Sequence, residues 1–252
     1  LAKRSDAIIA ISDKQKIELS EIHNICKPEK INVIPLGFDL IKFNSNIESK
    51  RSDFRAKYEL EEDTVCIGVI GRLVPVKNHK LFLEGFAKVC QNSSKKVKAF
   101  IIGDGELRDN LFELCKTLGL TYSYINQPDY NAQVIFTSWI KEVDQVLAGI
   151  DIVGLTSFNE GTPVSLIEAQ ACNKPIVTTN VGGIENVVLP NETALLCQNN
   201  DLDSYYQALL KLVNDDDLRN NMGHQGWIFV KDHFHYTRLC RDMKNLYDNL
   251  LL

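Results

Sequence analysis

Four charged residues of this 252-residue chain stand where charge could do chemistry. Arg72 and Lys77 lie five apart in GRLVPVKNHK, and Glu160 and Glu168 eight apart in EGTPVSLIEA. Arginine offers a planar fork for two oxygens and lysine a compact charge, so the two cations suit a diphosphate and could offset the charge released when a sugar–phosphate bond breaks. The two carboxylates sit either side of a predicted helix start. Pro163 suits a first turn, where its missing N–H has no partner anyway, and Thr162 is placed to cap it. With a helix from about Pro163 to Cys172, Glu160 falls in the entry loop and Glu168 roughly 9 Å further along, at about 1.5 Å per residue. That separation suits a ribose and a sugar held across a diphosphate.

Carboxylates and loop cations are ordinarily solvated surface groups. This helix, however, carries Val164, Leu166, Ile167, Ala169, Ala171 and Cys172, which leaves little polar face and marks a buried element. A carboxylate there needs hydrogen-bond donors. Sugar hydroxyls would supply them, and so would backbone amides in a purely structural site.

The elements that position these residues alternate short β-branched runs with helix-length segments whose apolar residues repeat every three or four positions. Strands are predicted at 65 to 71, 97 to 102, 133 to 137, 151 to 156, 175 to 179 and 193 to 197. Helical stripes lie between them, at Phe82, Phe86 and Val89, at Leu107, Leu111, Leu114, Cys115 and Leu118, and at Val143, Val146, Leu147 and Ile150. This is the pattern of a Rossmann-like α/β fold, a doubly wound parallel sheet with helices on both faces. Asn173, able to take a left-handed cap, and then Lys174 and Pro175 end the central helix. Upstream, AIIAIS at 7 to 12 reads as a strand, DKQKIELSEI as a polar helix and NVIPL at 32 to 36 as a second strand. The irregular FDLIKFNSN then connects two lobes, with a boundary between 40 and 47 that divides the chain into 1–43 and 44–252. From Asp201 onward three C-terminal helices follow with no strand between them, so the chain is expected to leave the sheet and to cross back toward the first lobe.

Ligands of such sheets bind outside the carboxyl ends of the strands, which directs attention to the loops there. GRLVPVKNHK follows the first strand of the sheet. GDGELR follows the second: it lacks the Gly-Lys-Ser/Thr of a P-loop, and Arg108 breaks a dinucleotide fingerprint. Gly103 and Gly105 could let backbone approach a ligand, or Asp104 could simply cap the next helix. TSWIKE follows the third, and its residues Thr137 to Ile140 could present backbone groups to a base edge. Trp139 could stack there, although a tryptophan more often belongs to a core or an interface. In TNVGGIENV, Gly182 and Gly183 allow a tight approach to the next helix or an ordinary turn. His79 reads most simply as a helix-start residue.

Composition narrows the class. The chain is 44% hydrophobic and 24% charged, as a globular protein is. Its net charge of −5 offers no overall footprint for nucleic acid. The longest apolar runs are too short to cross a bilayer and no signal peptide opens the chain, which points to the cytoplasm. Seven scattered cysteines without a CxxC pair suit reduced core thiols better than disulfides or zinc, and the five histidines form no metal spacing.

The residues assembled here, GRLxxxK, the GDG turn, Glu160 and Glu168 with seven residues between them, and KPIVTTNVGG, together resemble group 1 (family 4) retaining glycosyltransferases over roughly residues 1 to 250. The resemblance implies a GT-B fold, of which this chain is the C-terminal nucleotide-sugar-binding lobe. It implies that Glu160 contacts donor-sugar hydroxyls, Glu168 the ribose, and Arg72 and Lys77 the diphosphate. Gly161, Thr162, Pro163 and Val164 then line the site through backbone, Pro163 being unable to donate, and the loop Thr137 to Ile140 receives the base. It further implies hexosyl or N-acetylhexosaminyl transfer with no metal and no cofactor, the cationic pair standing in for a metal. The implied role is polysaccharide biosynthesis in the cytoplasm, with room for peripheral membrane association and for a glycan or lipid-linked acceptor. Thr137 and Ser138 stand where the family often has Gly-Arg, Asn186 where glutamate is frequent and Asn173 where glycine is. TYSYINQPDYN looks like an insertion, which leaves the base open. The acceptor-binding N-terminal lobe, a domain of about 100 to 200 residues, is represented only by its last strand and helix. The chain therefore reads as a fragment, inactive by itself. The alternatives are a nucleotide-sugar-binding module without transfer and a GT-B epimerase or phosphorylase. Acid–base groups around a sugar would mark an epimerase and a pyridoxal-phosphate lysine a phosphorylase, and neither pattern is present.

Overall fold

In the computed structural model, which describes residues 2–125 and 129–251, every strand expected from the sequence forms. In chain order the elements are β1 (Ile8–Ala10), α1 (Asp13–Ile17), β2 (Ile31–Val33), α2 (Ile41–Asn44), α3 (Ile47–Lys57), β3 (Val65–Ile70), α4 (His79–Asn92), β4 (Val97–Ile102), α5 (Arg108–Thr117) and β5 (Tyr122–Tyr124). There follow β6 (Val134–Ser138), α6 (Val143–Gly149), β7 (Ile152–Leu155), α7 (Val164–Ala171), β8 (Ile176–Thr179), β9 (Ala194–Cys197), α8 (Leu202–Asn214), α9 (Asp216–Phe234) and α10 (Tyr236–Leu251). The chain forms two units, Leu1–Leu40 with Val230–Leu252, and Ile41–Phe229.

The larger unit is built on a parallel seven-stranded sheet in the order β5-β6-β4-β3-β7-β8-β9. Its strands are near-continuous apolar runs because helices cover both faces; the first five residues of β3, VCIGV, are all buried. From β3 the chain steps to β4 on one side and later returns to place β7 on the other, with Ile67 opposite Ile152. The direction of winding therefore reverses between β3 and β7, the position outside which ligands of such sheets bind.

Packing fixes the helices beside the sheet. In α4 the fully buried Phe82 and Phe86 face the core. The Tyr205 side chain of α8 is buried against two glycines: a Cβ at Gly85 would come within 2.8 Å of its ring, and one at Gly154 within 2.5 Å of its hydroxyl. At the amino ends of the strands, the Asp151 carboxylate accepts from the Cys66 amide (2.8 Å) and pairs with Arg51 (2.7 Å), with the buried Arg55 at 3.6 Å. These contacts pin α3 to β3 and β7.

In the smaller unit β1 and β2 pair in parallel, Ile8 opposite Ile31. Phe38 bonds to Phe234 and Tyr236 along the backbone (2.8 and 3.0 Å). Arg238 donates to the Pro35 and Leu36 carbonyls at 2.7 and 2.6 Å. Gly37 lies so close to α10 that a Cβ would stand 2.6 Å from that of Leu239. The final helix is thus clasped by the segment that precedes the larger unit.

Several local expectations are corrected. DKQKIELSEI is α-helical only to Ile17 and continues as a π-helical turn, Glu18–Ile22. The supposedly irregular connection contains α2. The segment read as an insertion supplies β5, an edge strand paired with β6 whose Tyr122 stacks on Phe112 (4.8 Å); its residues 126–128 lie outside the described residues. Among the seven cysteines, all free, Cys240 is exposed and Cys26 and Cys90 are half-buried.

His79 opens α4 with 1% of its surface exposed and neither ring nitrogen bonded among the described residues. Burial, assisted by the charge of Lys77, pushes the imidazole from 6.5 down to about 4. Its neutral form is the one the fold tolerates, so its contribution to stability is complete above pH 6.5 and is lost as the pH falls toward 4, by a few kcal/mol. Denaturant unfolding between pH 4 and 7 should show this slope in the wild type and a flatter one in His79→Leu. Parallel profiles would contradict the assignment.

Candidate functional site

At the carboxyl end of β3 the chain passes Gly71 and Arg72, makes a 3₁₀ turn over Pro75–Lys77, and enters α4 through Asn78 in the left-handed region (φ 48°). Backbone from β7 holds this turn in place. The Phe158 amide donates to the Val76 carbonyl (2.8 Å), and the buried Thr156 hydroxyl reaches the carbonyls of Lys77 and Asn78 (3.2 and 2.9 Å). With both loops fixed, Lys77 Nζ meets Glu160 Oε1 at 2.6 Å across the switch point. Ser157 Oγ donates to the same oxygen, also at 2.6 Å.

The loop carrying Glu160 is clamped from the far side. Gly183 donates its amide to the Glu160 carbonyl (2.9 Å), and Thr179 Oγ1 donates to the Ser157 carbonyl (2.7 Å). Gly182 adopts φ 58°, and a Cβ there would fall 1.9 Å from the Glu160 carbonyl oxygen; one at Gly183 would fall 1.9 Å from that of Gly161. The close approach read into this glycine pair is therefore to the glutamate loop and not to a following helix, of which only the short 3₁₀ turn Ile184–Asn186 forms.

The GDG turn serves its neighbour in the same way. Gly103 takes φ 145°, and a Cβ there would lie 1.9 Å from the Gly71 carbonyl oxygen. The Leu73 amide donates to the Asp104 carbonyl (3.0 Å), and the Leu107 amide to that of Leu73 (3.0 Å). Asp104 does not cap α5, whose N-cap is Leu107 without a side-chain bond. It accepts instead from the Gly105 amide (2.8 Å) and from Ser138 Oγ (3.3 Å). Ser138 is left-handed (φ 57°), Thr137 turns its hydroxyl inward to the Ser138 carbonyl (2.9 Å), and Ile140 is half-buried. Trp139 is 59% exposed, which removes it from the core and leaves the stacking and interface readings.

Helix α7 starts one residue later than expected and ends one earlier. Pro163, at ψ 98°, is its N-cap, and no side chain caps it, Thr162 included. Asn173 adopts the expected left-handed conformation (φ 56°) after the last turn. The amides of Gly161 and Thr162, in the loop before α7, have no acceptor among the described residues, and neither has that of Val164, the first residue of the helix. Glu168 is the fifth residue of α7, half-buried and without a hydrogen-bond partner among the described residues. Burial raises its pKa; Lys42 acts to lower it and Asp144 to raise it. Arg72 is exposed and likewise unpaired among the described residues.

Lys77 and Glu160 are thus brought into contact, while Arg72 and Glu168 form no ion pair or side-chain hydrogen bond among the described residues. Two neighbours escaped the sequence reading. Ser157, three residues before Glu160, is an unremarked serine until its burial is known, and Lys42 lay in a stretch read as irregular. Among the described residues no group of three or more His, Cys, Asp or Glu could hold a metal. No helix among them is long and apolar enough to cross a membrane. A concavity of about 960 Å³ in the larger unit lies at the opposite edge of the sheet. Part of its charged lining is paired within itself, Arg51 with Asp151, and Lys95 and Arg219 with Asp216.

The sequence model of the family described as "Glycosyl transferases group 1" matches residues 50–227. The chain is 29% identical over 255 aligned positions to the Escherichia coli UDP-Gal:alpha-D-GlcNAc-diphosphoundecaprenol alpha-1,3-galactosyltransferase, covering 100% of this chain and 62% of that protein. It is 27% identical to the capsular polysaccharide biosynthesis glycosyltransferase CapM of Staphylococcus aureus, over 97% of this chain and 62% of the relative. The chain therefore spans about three fifths of the length of these relatives. Its fold matches a crystal structure of Anabaena HepE in complex with UDP at a TM-score of 0.82, with 20% identity, over 98% of this chain and 65% of that one.

The clamp on the glutamate loop can be tested by stability alone. Gly183→Ala sets a methyl against a backbone oxygen that has no room to yield, and should cost about 2 kcal/mol or more, a fall in Tm of roughly 4–8 °C. Gly161→Ala, whose Cβ meets nothing within 4 Å, should stay within about 0.5 kcal/mol of wild type. Equal effects of the two in thermal unfolding would contradict the clamp.

Proposed function

The chain belongs to the glycosyl transferases group 1 family, and from that premise we propose that it is the donor-binding half of a retaining glycosyltransferase, which moves a sugar from a nucleoside diphosphate to an acceptor hydroxyl. The observation that carries this reading is the Lys77–Glu160 contact at the switch point, with Arg72 in the same loop as Lys77. A diphosphate carries charge that Arg72 and Lys77 can share, and its sugar then falls beside Glu160.

In this reading Arg72 and Lys77 hold the diphosphate and stabilise it as the leaving group, with the free amides of Gly161, Thr162 and Val164 adding donors. Glu160 orients the sugar hydroxyls and Glu168 the ribose. The turn at Gly103 and Asp104 shapes the wall beside Gly71, and Thr137 to Ile140 receive the base. The incoming hydroxyl attacks from the face the diphosphate leaves, and a phosphate oxygen takes its proton, so this half needs no general base. The two cations do the work a metal does elsewhere, and chelation should leave turnover unchanged. The acceptor, a glycan or a lipid-linked sugar, binds to the other lobe of the complete protein, in the cytoplasm and with room for contact at a membrane surface. The sugar is a hexose or an N-acetylhexosamine. The Escherichia coli relative uses UDP-galactose by its name, which makes uridine diphosphate sugars the first donors to try.

Calorimetry with uridine and guanosine diphosphate sugars should show saturable binding to the chain, and a transfer assay on the complete polypeptide should show product with the anomeric configuration kept. In that assay Arg72→Ala should lower turnover roughly 10²–10³-fold, the scale of removing one donor that stabilises developing charge. Near-normal turnover would overturn the role of Arg72; binding without any transfer would favour a nucleotide-sugar-binding module.

A further inference from the structure

Glu160 divides its two oxygens unequally. Oε1 accepts from both Lys77 Nζ and Ser157 Oγ, each at 2.6 Å. Oε2 accepts from nothing among the described residues, and it is not sealed from solvent, although only 9% of the side chain is exposed. Ser157 itself is fully buried, its carbonyl held by Thr179 Oγ1 (2.7 Å) while the next amide, of Phe158, is held by the Val76 carbonyl. A hydroxyl in so fixed a frame has little freedom to seek another acceptor.

From this geometry we infer that Ser157 is a positioning residue for donor-sugar recognition, one that pins Oε1 so that Oε2 faces the sugar hydroxyls. The inference rests on the donor-site reading above. Its logic is a competition for Lys77. An ammonium that also serves a diphosphate has its donors drawn toward the phosphate oxygens when the donor binds. Were Lys77 the sole anchor of Glu160, binding of the phosphates would loosen the carboxylate at the moment the sugar needs it. The Ser157 hydrogen bond is neutral on its donor side, buried and indifferent to the phosphates, and it keeps the carboxylate aimed whichever way the ammonium turns.

The test compares UDP with UDP-galactose, UDP-glucose and UDP-N-acetylglucosamine, and the guanosine counterparts, by calorimetry. The ratio of affinities of the tightest nucleotide sugar and its bare diphosphate measures sugar recognition. Ser157→Ala should reduce that ratio about tenfold while leaving affinity for the bare diphosphate within about twofold. Ser157→Thr, which retains the hydroxyl, should restore it. Because Ser157 acts through Glu160, the double variant Ser157→Ala with Glu160→Ala should lose no more of the ratio than Glu160→Ala alone, and a melting curve like that of the wild type shows that Ser157→Ala is folded. An unchanged ratio in Ser157→Ala, or losses that add in the double variant, overturns the role of Ser157 while nucleotide binding stands. A wild type that binds no nucleotide overturns the donor-site reading itself, and the inference with it.

Discussion

The site depends on a backbone interlock at the point where the sheet reverses its winding. Lys77 and Glu160 are 83 residues apart in sequence, and neither is held by the other alone. The turn before Lys77 is fastened to the β7 loop by the Phe158 amide and the Thr156 hydroxyl, and the Glu160 loop to the β8 loop by the Gly183 amide. Charges brought together by fixed backbone need little further ordering of side chains, so the pair can sit partly buried without relying on its own attraction. Every other feature of the site follows from which loops this interlock admits.

The same principle explains the distribution of glycine. Gly103 and the Gly182–Gly183 pair are required because backbone oxygens of Gly71, Glu160 and Gly161 occupy the space a side chain would take. Loops after β3, β4, β7 and β8 thereby pack edge to edge into one surface. The two edges of the sheet differ in chemistry as a result. At the amino end Asp151 gathers Arg51 and Arg55 and holds both in ion pairs. At the carboxyl end Arg72 and Glu168 stay uncommitted, and uncommitted charge is what a polar ligand can use.

Much of this was legible in the sequence, for reasons that differ by element. The buried strands show as uninterrupted apolar runs, and α4 and α8 bury clear faces. Helix α3 gave no such signal. Its sequence IESKRSDFRAK has hardly any apolar stripe, and it is held by the buried Phe54 against Phe100 (5.2 Å) and by Arg51 and Arg55 reaching Asp151, long-range contacts to which periodicity is blind. β5 has only three residues, and its fit depends on Phe112, ten residues upstream of Tyr122. The charged quartet could be picked out by type and spacing, but the purpose of the glycines could not, because their close neighbours come from loops distant in the chain. Ser157 was invisible for the same reason: only the fold places its hydroxyl on Glu160.

The most direct measurement of the central claim is a crystal structure of the chain soaked with a nucleoside diphosphate sugar. The diphosphate should lie between Arg72, Lys77 and the start of α7, the ribose beside Glu168, and the sugar on the free oxygen of Glu160. A nucleotide seated instead in the charged concavity at the amino ends of the strands, among Arg51, Lys95 and Arg219, would contradict it.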